Sequence, residues 1–193
     1  MPEETTATYG TQRKAAERNR AAILEVAHDL FAKNPATSLN EVAKRAGVGA
    51  GTLYRHFPTR EALILAVYQH DVEKLVGSVD ELLADRPAKE AFIEWFEMLA
   101  AYIRVKHGLG EALHHAAIQD AINRTYAPVT AAIGKLLDAC VEQGSVRPGL
   151  GAGDVLLLMS FLWRVAPDAL GVAQGRRLTA MVFDGIAAPE ASR

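Results

Sequence analysis

The run Ser38-Leu-Asn-Glu-Val-Ala-Lys-Arg-Ala-Gly-Val-Gly-Ala-Gly-Thr-Leu-Tyr-Arg-His-Phe57 reads as two short helices joined by a sharp turn. Ser38 and Glu41 form a capping box, in which the serine accepts from the backbone three residues on and the glutamate reaches back. The first helix covers 39–46 and stops at Gly47, which can take the left-handed backbone angle that a sharp turn needs. Val48-Gly49 complete the turn, and a second helix over 50–56 stops at Pro58. Leu39, Val42, Ala43, Val48, Leu53 and Phe57 supply the apolar inner face. A pair this small cannot bury enough surface to stand alone. It has to pack on the preceding helix, predicted over about 12–33, whose Ile23, Val26, Ala27, Leu30 and Phe31 follow the i, i+3, i+4, i+7, i+8 stripe. Asn34-Pro35 stops that helix.

Outward from this core the pattern stays helical. Thr59 is placed to cap a long helix from Arg60 to about 84. A helix over 88–106 carries Phe92, Trp95, Phe96, Leu99 and Ile103 on one face. A short piece, 111–118, leads into 121–143, where Pro128 predicts a kink or restart. The segment 154–166 is apolar nearly all round, and 171–187 carries Leu178, Met181, Val182 and Ile186. No alternating strand pattern and no internal repeat is present. The expected fold class is all-α, with about nine helices. Residues 1–12 hold Pro, Gly and four Thr without periodicity and read as a flexible arm. The expected division is then a head over 13–77 and a helical body over 78–193.

Half of the 193 residues are apolar, ordinary for a chain with a real core. The net charge of -2 hides an uneven distribution. Residues 11–60 carry nine Lys/Arg against four acids, whereas 61–193 carry twelve against seventeen. A basic head on an acidic body points to a polyanion partner for the head. A single cysteine, Cys140, excludes a disulfide framework and a thiolate zinc cluster. The first eleven residues lack the apolar stretch of a signal peptide, and the longest apolar run, Val155–Met159, is far too short to span a membrane. A cytoplasmic location and no membrane partner are expected.

Two short helices around Gly47, braced by a third, form a helix-turn-helix, whose second helix stands proud and fits a major groove about 12 Å wide. The run Gly-Thr-Leu-Tyr-Arg-His-Phe (51–57) followed by Pro-Thr-Arg-Glu-Ala-Leu (58–63) closely resembles the signature of the TetR (tetracycline repressor) family. The resemblance is specific over about 18–77. The second half is similar to the SbtR-like branch, through Lys106-His-Gly-Leu-Gly110 and Gly144-Ser-Val-Arg-Pro148.

The resemblance implies a sequence-specific transcriptional regulator, a repressor released from a palindromic operator in double-stranded DNA by a small apolar or amphipathic effector. It implies that Tyr54 and His56 hydrogen-bond backbone phosphates, as does Arg60, where the family usually has Lys. Thr52, Ala50 and Gly51 sit where the recognition helix meets base edges, and Asn40 where a base or phosphate is in reach. The expected interface is completed by Ser38, Gly49 and Arg55. Tyrosine, histidine and arginine do donate to phosphate oxygens, and helix N-termini attract anions. One departure stands out: Gly49 and Ala50 are tiny where the family often has Ser or Thr and then a longer polar or basic residue. Direct base readout is expected to lean on Thr52, Asn40 and Arg55, with DNA shape, or Arg18 and Arg20 in a minor groove, supplying the rest.

A head this small covers about one half-site, so useful affinity needs a homodimer across grooves about 34 Å apart. The helix 154–166 must be covered on both sides, and with 171–187 it is the expected dimerisation element, through Leu156, Met159, Trp163, Leu178, Met181 and Val182. The family resemblance implies an effector pocket among the central helices, for which Trp95, Phe96, Tyr102, His107, His114 and Trp163 are the candidates. An aromatic stripe by itself is more often simple core. Glu111 and His115 at i, i+4, with His107 four residues back, raise a metal-responsive alternative, but Gly108 and Gly110 break the helix between them and surface or core histidines fit better. No cofactor is called for. A Gly-rich phosphate loop, a nucleophile elbow and a metal-ligand signature are all missing, which argues against an enzyme. A helical small-molecule-binding protein without DNA function is the remaining alternative.

Overall fold

The computed structural model describes residues 3–34, 36–108, 116–166 and 168–189, and the side chains among them except those of 3–14, 104–108 and 116–122. The described residues form eight α-helices: α1 (Glu3–Lys33), α2 (Leu39–Arg45), α3 (Ala50–His56), α4 (Arg60–Asp85), α5 (Ala88–Gly108), α6 (Ala116–Glu142), α7 (Ala152–Leu158) and α8 (Ala169–Ile186), with a 3-10 turn, Met159–Trp163, after α7. The only pairing of extended backbone among them is an isolated bridge, Val146 with Ala187. The fold is all-α, and the chain divides into two compact units inside α4, after His70.

The first unit contains α1–α3 and the start of α4. Ile23, Leu24, Ala27 and Phe31 of α1 are fully buried, as are Val42, Leu53, Leu63 and Ile64. The buried face of α1 thus includes Leu24, while Val26 and Leu30 are only half-buried. Asn34 ends α1: its carbonyl accepts from the Thr37 amide (3.0 Å) and hydroxyl (2.7 Å), and its side chain accepts from the Ala36 amide. Thr59 caps α4 by accepting from the Ala62 amide at 3.1 Å. His70 Nε2 meets Glu25 Oε1 at 3.1 Å, tying α4 to α1. The N-terminal segment departs from expectation, because α1 begins at Glu3 rather than near 12. Once a helix is nucleated, each further residue adds a hydrogen bond, and no proline interrupts between Pro2 and Pro35.

The second unit is built around aromatic residues of α5. Phe92 packs on Phe96 (4.7 Å between centroids) and edge-on to Phe183 of α8 (5.3 Å), and Trp95 is edge-on to Phe96 (5.2 Å). The Trp95 indole N–H donates to the Leu75 carbonyl at 2.8 Å, so its polar atom is satisfied inside the core. Cys140 is fully buried on α6, and desolvation pushes its thiol pKa above the ordinary value. α6 runs unbroken through Pro128 instead of restarting there. Arg124, four residues earlier, is exposed, so water can serve the carbonyl that the proline leaves without its helical donor.

The expected helix over 154–166 is also corrected. It is an α-helix only to Leu158 and then tightens into the 3-10 turn. Three-residue winding stacks i over i+3, which turns Met159 and Leu162 inward together. Both are buried, while Leu157, Leu158 and Trp163 face out. Asp168 then caps α8 by accepting from the Gly171 amide at 2.8 Å. A Cβ at Gly171 would lie 1.9 Å from the Ala166 carbonyl oxygen, so the chain can close here only on glycine. Gly171→Ala is expected to destabilise the protein by about 1–3 kcal/mol, the range for an overpacked site, read as a lower denaturation midpoint at unchanged slope.

Candidate functional site

The helix-turn-helix is assembled from local caps and one shared core. The Ser38 hydroxyl accepts from the Glu41 amide at 3.2 Å, the serine half of the expected capping box, while the Glu41 carboxylate lies 3.7 Å from Arg45 Nε one turn on. Gly47 takes φ 68°, and the Val48 amide returns to the Ala43 carbonyl at 3.0 Å, closing the turn. Gly49 caps α3 without a side chain. α2 contacts both α1 and α3. From α3 only Leu53 is buried, followed by Phe57 at its end.

That burial decides what α3 shows to solvent. Gly49, Ala50, Gly51, Tyr54 and Arg55 are exposed, as are Ser38 and Asn40 at the start of α2, and Thr52, His56 and Arg60 are half-buried. Every residue named for the DNA interface is therefore exposed or half-buried, and none is enclosed in the core of this unit. The Arg60 guanidinium stacks over the Phe31 ring at 5.3 Å, and that of Arg20 over Phe57 at 5.8 Å. Cations are thereby held against the aromatic core beneath the turn. Arg18 and Arg20 belong to α1 and are not on a loose arm. Arg55 folds along α3, its Nε donating to the Gly51 carbonyl at 3.2 Å and its Nη2 to the Thr52 hydroxyl at 3.3 Å. The sequence named Arg55 and Thr52 separately and gave no sign of this pairing.

The other expected sites fare unevenly. Trp95 and Tyr102 are core residues of the second unit, and Trp163 is exposed. Among the pocket candidates, Phe96 lines a cleft walled by Ala100, Leu162, Val165, Val172 and the small residues Gly171 and Gly175. At that cleft Arg176 of α8 holds Glu97 of α5 through two hydrogen bonds, 3.0 and 3.1 Å. Glu97 and Arg176 are 79 residues apart, and spacing alone could not have joined them. The side chain of His107 and all of Glu111, His114 and His115 lie outside the described residues. Among the described residues no group of three His, Cys, Asp or Glu could hold a metal ion, and no helix is long and apolar enough to cross a membrane.

Of the expected dimer residues, Met159 is 1% exposed and belongs to the chain's own core, the 3-10 winding having turned it inward. Leu156, Leu178 and Val182 are half-buried, and Trp163 and Met181 are exposed. Leu157, Leu158 and Leu170, which the sequence reading did not single out, are more than half exposed. For Leu157 and Leu158 the signal was present in the sequence as an apolar helix with no polar face, but burial on one side had to be known first.

The first unit thus defines a helix-turn-helix protein with a basic, aromatic-backed recognition face. Residues 23–67 match the bacterial regulatory proteins of the tetR family, and residues 87–188 match the C-terminal domain of SbtR-like transcriptional regulators. The chain is similar to the crystal structure of a TetR transcriptional regulator from Streptomyces coelicolor, 32% identical over 88% of this chain and 99% of that one, with a TM-score of 0.77. A TetR regulatory protein from Mycobacterium vanbaalenii is 34% identical over 91% and 99%, with a TM-score of 0.73. An HTH-type transcriptional regulator of Staphylococcus aureus is 39% identical over 75 residues, 38% of this chain; the match spans 40% of that regulator's length. The chain belongs to the TetR family of transcriptional regulators, with an SbtR-like second half.

Gly47→Ala is expected to lower stability by about 1–2 kcal/mol, because a Cβ there is strained by the left-handed angle alone and touches nothing within 4 Å. Gly47→Asn, which tolerates that angle better, should lose less in the same thermal melt.

Proposed function

We propose that this chain binds a palindromic operator in double-stranded DNA as a homodimer and represses transcription until a small apolar or amphipathic effector releases it. The observation that carries this reading is α3, which buries Leu53 into its unit and leaves Tyr54 and Arg55 exposed and His56 half-buried, with Arg60 at the start of α4 held over Phe31. Tyr54, His56 and Arg60 donate to phosphate oxygens and fix the register; base edges are met from Ala50, Gly51, Thr52 and Arg55. Ser38, Asn40 and Gly49 complete the surface around the helix start.

The reading of a dimer is supported by Leu157, Leu158, Trp163, Leu170 and Met181, which are between 37% and 82% exposed. Large apolar side chains gathered in neighbouring segments of one unit mark an interaction surface. The effector reading is supported by the cleft beside Phe96. It is lined by apolar Phe96, Leu162, Val165 and Val172 together with polar Glu97, Arg176 and Thr179, a mixed lining suited to an amphipathic ligand. A ligand can release DNA only by binding the released state better than the DNA-bound one. α4, 26 residues and about 39 Å long, belongs to both units and is the element through which such a preference would act.

A gel shift with the DNA upstream of the chain's own gene tests the core of this. Binding should depend on a palindrome and fall steeply with salt, and Tyr54→Phe and His56→Ala should weaken it on every sequence alike. A folded protein that ignores all duplex DNA would rule the reading out. Met181→Asp should leave the fold intact, shift the protein to a monomer on size exclusion, and weaken operator binding by more than tenfold through loss of the second half-site.

A further inference from the structure

The geometry points to Arg55 as the base-reading residue of this chain, held by Thr52 to recognise a guanine in the major groove; this rests on the DNA-binding reading above. A guanidinium offers five N–H donors in a rigid fork, and guanine is the base that presents two acceptors, O6 and N7, matched to such a fork. Arg55 spends one donor, its Nε–H, on the Gly51 carbonyl and one from Nη2 on the Thr52 hydroxyl. Both bonds lie on the side of the guanidinium that faces its own helix. One Nη1 donor and the second Nη2 donor remain along the end of the fork, the pair of nitrogens that can bind guanine end-on. Arg55 is exposed, so this edge is open to solvent. A free arginine loses rotamer entropy when it binds, and one already docked on its helix has lost part of it beforehand.

An arginine folded back on its helix has a short reach. For its outer edge to meet a base, the helix backbone must come close to the groove floor. The residues in front of it are Gly49, Ala50 and Gly51. A methyl added at Gly49 or Gly51 would meet nothing within 4 Å of this chain, and neither glycine has a positive φ. Gly51 sits inside α3, where glycine is less favourable than alanine. Neither packing nor backbone angle inside the chain calls for glycine here, whereas close approach of a partner does. Toward this guanine Thr52 is accordingly a positioning residue, and Arg55 the one that touches it.

Selection of binding sites from a random duplex library by the full-length protein tests this. The wild type should select a half-site with one dominant G·C pair, and replacing that guanine by 7-deazaguanine, which lacks the N7 acceptor, should weaken binding about 10-fold or more. Arg55→Ala should lose the preference at that pair alone while its selected motif elsewhere and its melting curve stay unchanged, the side chain being exposed. Thr52→Val, which keeps the shape and removes the hydroxyl, should relax the same pair several-fold with Arg55 still present. Arg55→Lys should not restore it. An unchanged motif for Arg55→Ala would overturn the assignment, as would an equal loss of affinity for every sequence, which would make Arg55 a phosphate contact. A wild type that binds no duplex at all would instead remove the DNA-binding reading and this inference with it.

Discussion

A helix of seven residues has too few internal hydrogen bonds to persist in water, and α3 has seven. Everything the first unit does depends on burying Leu53 and Phe57 into a core that already contains Ile23, Ala27, Phe31 and Val42. Those few side chains both stabilise α3 and choose its orientation. With Leu53 inward, helical geometry puts Gly51 and Arg55 on the far side of a 3.6-residue turn and Tyr54 on its flank, and all three are exposed. The exposed chemistry is thus a consequence of the packing. The same rings serve twice, since Phe31 and Phe57 also seat Arg60 and Arg20 on their faces. A cation held over a ring is desolvated on one side and aimed on the other, which suits contact with an anion more than a freely moving side chain does.

The second unit solves a different problem. Its core is aromatic, with Phe92, Trp95, Phe96 and Phe183 interlocked. Arg176–Glu97 and Lys135–Asp80 are exposed pairs, each worth at most a fraction of a kcal/mol after screening. A core of this kind tolerates a cleft at its edge, because Gly171 and Gly175 reduce the side-chain volume just where α8 meets the residues that follow α7. The space beside Phe96 results from small residues required for helix closure as much as from any ligand.

What could be read from the sequence follows the range of the forces involved. The limits of α2, α3 and α4 were legible to within a residue because each is set by a cap three or four positions away: Ser38 on Glu41, Gly47 after α2, Thr59 on Ala62. The role of α3 was legible for the same reason. The buried face of α1 was only half legible, since Leu24 and Val26 flank Ile23 and Ala27 and a single sequence does not say which apolar flank turns inward. Met159 was misplaced because the tightening from α- to 3-10 winding depends on how Leu162 packs, not on any nearby cap. At Pro128 the restart, one of the two outcomes expected with a kink, does not occur, because α6 continues through it. The Glu97–Arg176 pair was not legible at all, because nothing local links α5 to α8.

The same distinction separates grip from reading in the recognition helix. Grip needs donors of the right type at roughly the right place, and phosphate oxygens are everywhere along a duplex, so Tyr54, His56 and Arg60 could be recognised by residue type alone. Reading needs a donor pair held at a fixed angle, and angle comes from second contacts. Arg55 acquires its angle from Gly51 and Thr52, within one turn of helix, in a segment otherwise stripped of side chains. The bareness of Gly49-Ala50-Gly51, which by sequence suggested a helix with little to read with, is on this argument what lets one short, braced side chain reach the bases.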